Sequence, residues 1–183
     1  MTNYSGIQLE GQELYERQKK VRSQILYPPA PRIIATNLQV PDNLGSVLRL
    51  ADAAGSNAVI FIGATELDHK RIHKTARSCE SLIPWEVYNS DRFFEEINLF
   101  RPLVALEITS SSNNIFSTSM PDNCAFVIGN ERYGIPEKIL SVCDLSVHIP
   151  MYGTNGSMNV THALAIALFE WRRQKLHRCD QNL

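Results

Sequence analysis

The sequence predicts an α/β domain: a mostly parallel sheet with helices on both faces. Three observations carry that prediction. Short, continuously apolar runs such as Ala58-Val59-Ile60-Phe61-Ile62 are the pattern of strands buried on both faces. These runs alternate with segments of helical periodicity, the β-α-β order from which parallel sheets are built. The chain has 183 residues, enough for one domain and not comfortably enough for two.

Taken in order, residues 8–26 read as a polar, basic helix that stops before Tyr27-Pro28-Pro29-Ala30-Pro31. That proline cluster is a stiff linker. It divides an N-terminal helical extension (1–31) from the α/β domain (32–183). Arg32-Ile33-Ile34-Ala35-Thr36 is a short strand, and Pro41-Asp42-Asn43-Leu44-Gly45 carries turn chemistry. A helix follows with Leu44, Val47, Leu48 and Ala51 on one face and Gly55 as its C-cap. Residues 58–62 form the next strand. Leu103-Val104-Ala105-Leu106 and Ala125-Phe126-Val127-Ile128 are two more. Pro136 suits the first turn of a short helix reaching Val142, and Leu145-Ser146-Val147-His148-Ile149 is a further strand. The chain closes with a helix from about Met158 to His177, in which Val160, Leu164, Ala167, Leu168 and Trp171 are spaced for burial. Sheets of this kind bind ligands at the carboxyl ends of their strands. The loops after Thr36, Ile128 and Ile149 are therefore where chemistry is expected.

Composition narrows the class. Hydrophobic residues are 44% and charged residues 20%, which excludes a disordered or disulfide-built chain. The first residues carry no basic segment followed by an apolar one, so no secretory signal is expected. No apolar run is long enough for a membrane span. Cys79, Cys124, Cys143 and Cys179 are scattered without Cys-x-x-Cys spacing. Free thiols in a cytoplasmic protein are expected, and no metal site. The 18 Lys+Arg nearly balance 19 Asp+Glu, for a net charge of -1. Taken as a total, that argues mildly against a nucleic-acid partner.

The three loops are Asn43-Leu44-Gly45-Ser46-Val47-Leu48-Arg49, then Gly129-Asn130-Glu131-Arg132-Tyr133-Gly134, then Ile149-Pro150-Met151 through Ser157-Met158-Asn159-Val160. Each has an ordinary structural reading. Asn43 could be a helix N-cap, and so could Ser157. Glu131 could be a surface carboxylate. Walker A and GxGxxG spacings are absent.

The ordered set, however, resembles the three motifs of the SPOUT superfamily of RNA methyltransferases, in its TrmH (SpoU) branch, over about residues 32–173. The resemblance implies a C-terminal deep trefoil knot, S-adenosylmethionine as cofactor, a homodimer whose active site draws on both subunits, and methylation of a ribose 2′-hydroxyl in RNA. It places Arg49 against that hydroxyl. Arginine keeps its proton and is a poor base, so its expected role is to stabilise the developing alkoxide. Asn43, Asn159 and Glu131 would orient Arg49 or the ribose, and Ser157 belongs to the same set. Leu106, Gly129, Ile149, Ser157 and Met158 would hold the cofactor. The base-nitrogen methyltransferase and the RNA-binding relative without transfer are the alternatives.

For RNA, the run His69 to Arg77 supplies Lys70, Arg71, Lys74 and Arg77 without an acid, at a position where the family carries a substrate loop. Arg17, Lys19, Lys20 and Arg22 form a second cluster, and Arg172, Arg173, Lys175 and Arg178 a third. Local clusters let a near-neutral chain contact phosphate. With only some 30 residues before the core, the reading favours tRNA over rRNA as substrate.

Overall fold

The computed structural model describes residues 6–24, 28–64 and 67–180. Its elements are α1 (Gly11–Gln24), β1 (Arg32–Thr36), α2 (Pro41–Ala54), β2 (Val59–Ile62), α3 (His69–Ala76), β3 (Trp85–Tyr88), α4 (Ser90–Glu96), β4 (Leu103–Leu106), β5 (Asn113–Asn114), β6 (Ala125–Ile128), α5 (Glu137–Leu140), β7 (Leu145–His148) and α6 (Val160–Asp180). The strands form one sheet in the order β3-β2-β1-β6-β4-β7-β5. Every pairing in it is parallel.

Alternation along the strands sorts the core into two layers. Ile33 and Ala35 of β1, Val59 and Phe61 of β2, and Phe126 and Ile128 of β6 pack with α2, α3 and α6. Ile34, Ile60, Ile62, Ala125 and Val127 face the other way, onto Phe93 of α4 and Ile139 of α5. The sheet is thus covered on both faces. In α6, Leu164, Ala167, Leu168 and Trp171 are completely buried, as their spacing predicts. Among the described residues, no helix is long and apolar enough to cross a membrane.

Several boundaries differ from the sequence reading. The segment Pro41–Gly45 is not a turn but the first turn of α2. Pro41 suits this position because its missing N–H would have had no helical partner. The cap residue is Val40, with no side-chain cap bond, so Asn43 does not cap the helix. Gly55 does close α2, at φ 74°. The run His69–Ala76 is helix α3, and Asp68 caps it by accepting from the Arg71 N–H at 3.1 Å. Helix α3 packs closely on α2. A Cβ at Gly45 would sit 2.7 Å from the Ile72 carbonyl oxygen and 2.7 Å from Thr75 Cβ. Gly45 is therefore a packing glycine.

The third basic cluster serves the fold. Arg172 donates to the carbonyls of Ala54 and Pro28. Arg173 bonds Glu170 at 2.7 Å. Lys175 is buried on the Met120 carbonyl and Asp122. The Arg178 side chain lies outside the described residues. Cys79, Cys124 and Cys143 are free thiols. Burial pushes Cys124 up to about 12 and Cys143 up to about 11.

Candidate active site

The sheet order reverses beside β1: β2 and β3 lie on one side of it, β4, β5, β6 and β7 on the other. That is the switch point where a crevice opens at the carboxyl ends of parallel strands. The loop leaving β6 stands in the crevice and lines a pocket on each side of itself.

One pocket, of about 280 Å³, lies over β6, β4 and β7. Leu106, Gly129, Ile149, Ser157 and Met158, all five residues expected around the cofactor, line it, and so does Glu131. They come from the end of β4, the loop after β6 and the loop after β7. Leu106, Ile149 and Met158 supply apolar wall; Glu107 and Glu131 add two carboxylates. Gly129 is required by space. A Cβ there would lie 2.1 Å from the Gly134 carbonyl carbon and 2.3 Å from the Ile135 nitrogen.

The β6 loop is folded on itself. Asn130 and Gly134 exchange backbone hydrogen bonds at 3.0 and 2.9 Å. The Asn130 side chain accepts from the Arg132 and Tyr133 N–H groups at 2.9 and 3.1 Å and donates to the Asn37 carbonyl at 2.7 Å. Asn43 of α2 donates through Nδ2 to Glu131 Oε1, which joins the first loop to the second.

Ser157 lines the pocket but does not cap α6. The cap is Asn159, whose Oδ1 accepts from the Thr161 N–H at 2.8 Å and from its hydroxyl at 2.7 Å. The helix starts at Val160, two residues later than expected, and that shift hands the cap to Asn159. Replacing Asn159 by alanine is therefore expected to cost about 1 kcal/mol. Ser157→Ala is expected to change stability by less than about 0.5 kcal/mol. Chemical denaturation of the two variants checks both values.

Arg49 stands apart. It lies on the exposed side of α2, lines neither pocket, and acts electrostatically on the nearby Cys79 thiol. Lys70, Arg71, Lys74 and Arg77 are carried by α3 and its C-terminal end. All four are exposed, and Arg71 is held by Asp42 at 2.7 Å. That guanidinium, with the Thr75 hydroxyl, holds the Asp42 carboxyl below its ordinary value. Among the described residues, no group of His, Cys, Asp and Glu could hold a metal ion.

The sequence reading missed Glu107, Arg132 and His148 in this pocket. Glu107 Oε2 accepts from the Ile135 N–H at 3.1 Å, bracing the β6 loop from the end of β4. The Ser112 hydroxyl lies 3.0 Å from His148 Nδ1. Glu107 and His148 are polar residues directly at strand carboxyl ends, and that position was the available signal.

Residues 30–169 match the model of the SpoU rRNA methylase family. The chain is 32% identical to the 23S rRNA (guanosine-2'-O-)-methyltransferase RlmB of Neisseria meningitidis, over 82% of this chain and 61% of the relative. It spans about three-fifths of the length of the curated relatives it matches. Among solved structures, the AdoMet-bound rRNA methyltransferase of Sinorhizobium meliloti superposes with a TM-score of 0.73 at 25% identity, over 81% of this chain and 58% of that one. An RNA 2'-O ribose methyltransferase superposes at 0.72 with 29% identity, over 85% and 61%.

Proposed function

The chain belongs to the SpoU rRNA methylase family, and on that premise we propose that it transfers a methyl group from S-adenosylmethionine to a ribose 2′-hydroxyl of RNA. The observation that carries the proposal is the convergence of three sequence-distant segments, at the ends of β4, β6 and β7, on one pocket. Five residues expected to hold the cofactor line it together with Glu131, itself bonded to Asn43.

The pocket fits the cofactor's chemistry. Leu106, Ile149 and Met158 offer apolar wall to an adenine, and Gly129 leaves room for close approach to the backbone. Glu107 and Glu131 offer negative charge to a cationic ligand. When bound, the cofactor supplies an electrophilic methyl on a sulfonium. The protein's part is to hold the ribose oxygen in line with that methyl and to stabilise the oxygen as its proton leaves. Asn43 fixes the Glu131 carboxylate. Glu131 positions the ribose hydroxyl. Arg49 stabilises the developing alkoxide, while the proton passes to a phosphate oxygen or water. Because Arg49 lies outside the pocket of its own chain, it reaches the reaction from the second subunit of a homodimer. A deep trefoil knot formed by the C-terminal part accompanies this reading, supported by the insertion of β6 between β1 and β4 and the return of α6 onto α2. Residues 1–31 form the extension and 32–183 the catalytic domain, and the protein acts in the cytoplasm.

The test incubates the protein with labelled cofactor and total RNA from a strain lacking the gene. Label in RNA that resists alkaline or nuclease cleavage at one nucleotide is the expected result, because a 2′-O-methyl blocks attack on the adjacent phosphate. Label on a base would overturn it in favour of base-nitrogen transfer. Cofactor binding without label would leave an RNA-binding relative without transfer. Transfer RNA is the acceptor the sequence reading favours. The Neisseria relative is named for 23S rRNA, and the mapped nucleotide decides.

A further inference from the structure

The second pocket of the crevice, about 930 Å³, lies over the carboxyl ends of β2, β1 and β6. It shares Asn130 and Gly134 with the cofactor pocket as a common wall. No step proposed above uses it. Its floor is apolar, with Leu44 and Ile72; its polar lining includes Asn37 and Gln39. At its edge is Tyr133, an aromatic residue that is 74% exposed. Nothing in the packing of the core accounts for that exposure. The loop that carries Tyr133 is nevertheless fixed, through the buried Asn130 side chain and its bonds to the Arg132 and Tyr133 N–H groups. The Arg132 guanidinium lies 5.3 Å from the Tyr133 ring centroid.

We infer that this pocket receives the acceptor nucleobase, stacked on Tyr133 and hydrogen-bonded by the Asn37 and Gln39 amides. The inference rests on the function proposed above. Three features select a base over other occupants. Consecutive residues of one loop, Arg132 and Tyr133, line the cofactor pocket and this one. A nucleotide with its base against Tyr133 therefore has its ribose near the partition between the pockets, where methyl transfer requires it. An exposed aromatic ring beside an arginine is a stacking platform of the kind that holds unstacked bases in single-stranded RNA. Finally, Leu67, Asp68 and Ile72 bring the start of α3 into the pocket wall. The same helix carries Lys70 and Lys74, with Arg77 at its C-terminal end, as charge complementary to the flanking phosphates.

The experiment uses the full chain and a transcript bearing the nucleotide mapped above. For Tyr133→Ala, the KM for the transcript is expected to rise roughly tenfold or more, with cofactor affinity by calorimetry unchanged. Tyr133→Phe, which keeps the ring and loses the hydroxyl, is expected to restore KM to within roughly twofold. An unchanged KM in Tyr133→Ala, or a loss that phenylalanine does not rescue, overturns the inference and leaves the proposed function standing. A wild-type protein that labels no RNA overturns both. A rise in KM accompanied by an equal loss of cofactor affinity also overturns it, since Tyr133 would then serve the neighbouring pocket.

Discussion

Arg49→Ala is expected to reduce kcat for methyl transfer by about a hundredfold to a thousandfold, the cost of removing one preorganised group aimed at developing negative charge. Stability is expected to move by less than about 0.5 kcal/mol, because the side chain is exposed. Cofactor affinity is expected to be unchanged, since Arg49 is absent from the pocket lining. Kinetics, thermal unfolding and calorimetry read the three quantities separately. An unaltered kcat would remove Arg49 from the reaction.

The same residue tests where the site is assembled. On the proposed arrangement, a second subunit brings its Arg49 to the site that holds Glu131. Arg49→Ala and Glu131→Ala alone then each lose most of the activity. Random mixing of the two variants gives half mixed dimers, each holding one intact site and one doubly altered site, so roughly a quarter of wild-type activity returns. If both residues served a site within one chain, mixing would restore nothing. Recovery on mixing therefore separates the two arrangements without a structure of the dimer.

The elements legible in the sequence were those whose burial is continuous. Val59-Ile60-Phe61-Ile62 is buried on both faces, and its apolar run announces a central strand. Strand β3 was missed because it is an edge strand with Glu86 and Val87 exposed. The helical state of α3 is not legible for a similar reason. Only Ile72 and Ala76 of its eight residues are buried. Its identity comes from the Asp68 cap and from contact with Gly45, which is a tertiary fact. In the site, the three loops were legible as motifs because backbone proximity and side-chain chemistry constrain them residue by residue. Glu107 is marked in the sequence only by its position after β4; its role is not legible. Its bond to the Ile135 N–H exists only because the sheet sets β4 beside β6. The cap by Asn159 in place of the expected Ser157 also escaped, since both residue types can cap and the start of a helix is uncertain by a residue or two. The third basic cluster misled, because a run of charge does not disclose whether its partners are phosphates or the chain's own carbonyls.

Gly129→Ala is expected to abolish cofactor binding while the domain still folds. The added Cβ would meet the Gly134 carbonyl carbon at 2.1 Å, the Ile135 nitrogen at 2.3 Å and the Gly134 oxygen at 2.5 Å. All three are backbone atoms, so no rotamer change relieves the contact. The peptide between Gly134 and Ile135 must move by about 1 Å or more to reach ordinary separation. That movement breaks the paired Asn130–Gly134 bonds and the Ile135 N–H bond to Glu107. Those bonds shape the wall of the pocket, and a displacement of that size in a preorganised site costs roughly a hundredfold or more. Overpacking adds roughly 3 kcal/mol of destabilisation, a Tm drop of roughly 6–12 °C for a domain of this size. Gly153→Ala is the control. It belongs to the third loop, but a Cβ there has nothing within 4 Å, so both Tm and cofactor affinity are expected to stay at wild-type values. Calorimetry with S-adenosylmethionine on the two variants separates a loss caused by crowding at Gly129 from a general intolerance of added side chains in the loops. Equal binding by both would show that the β6 loop yields without cost, and the pocket would then not depend on the closeness of its backbone.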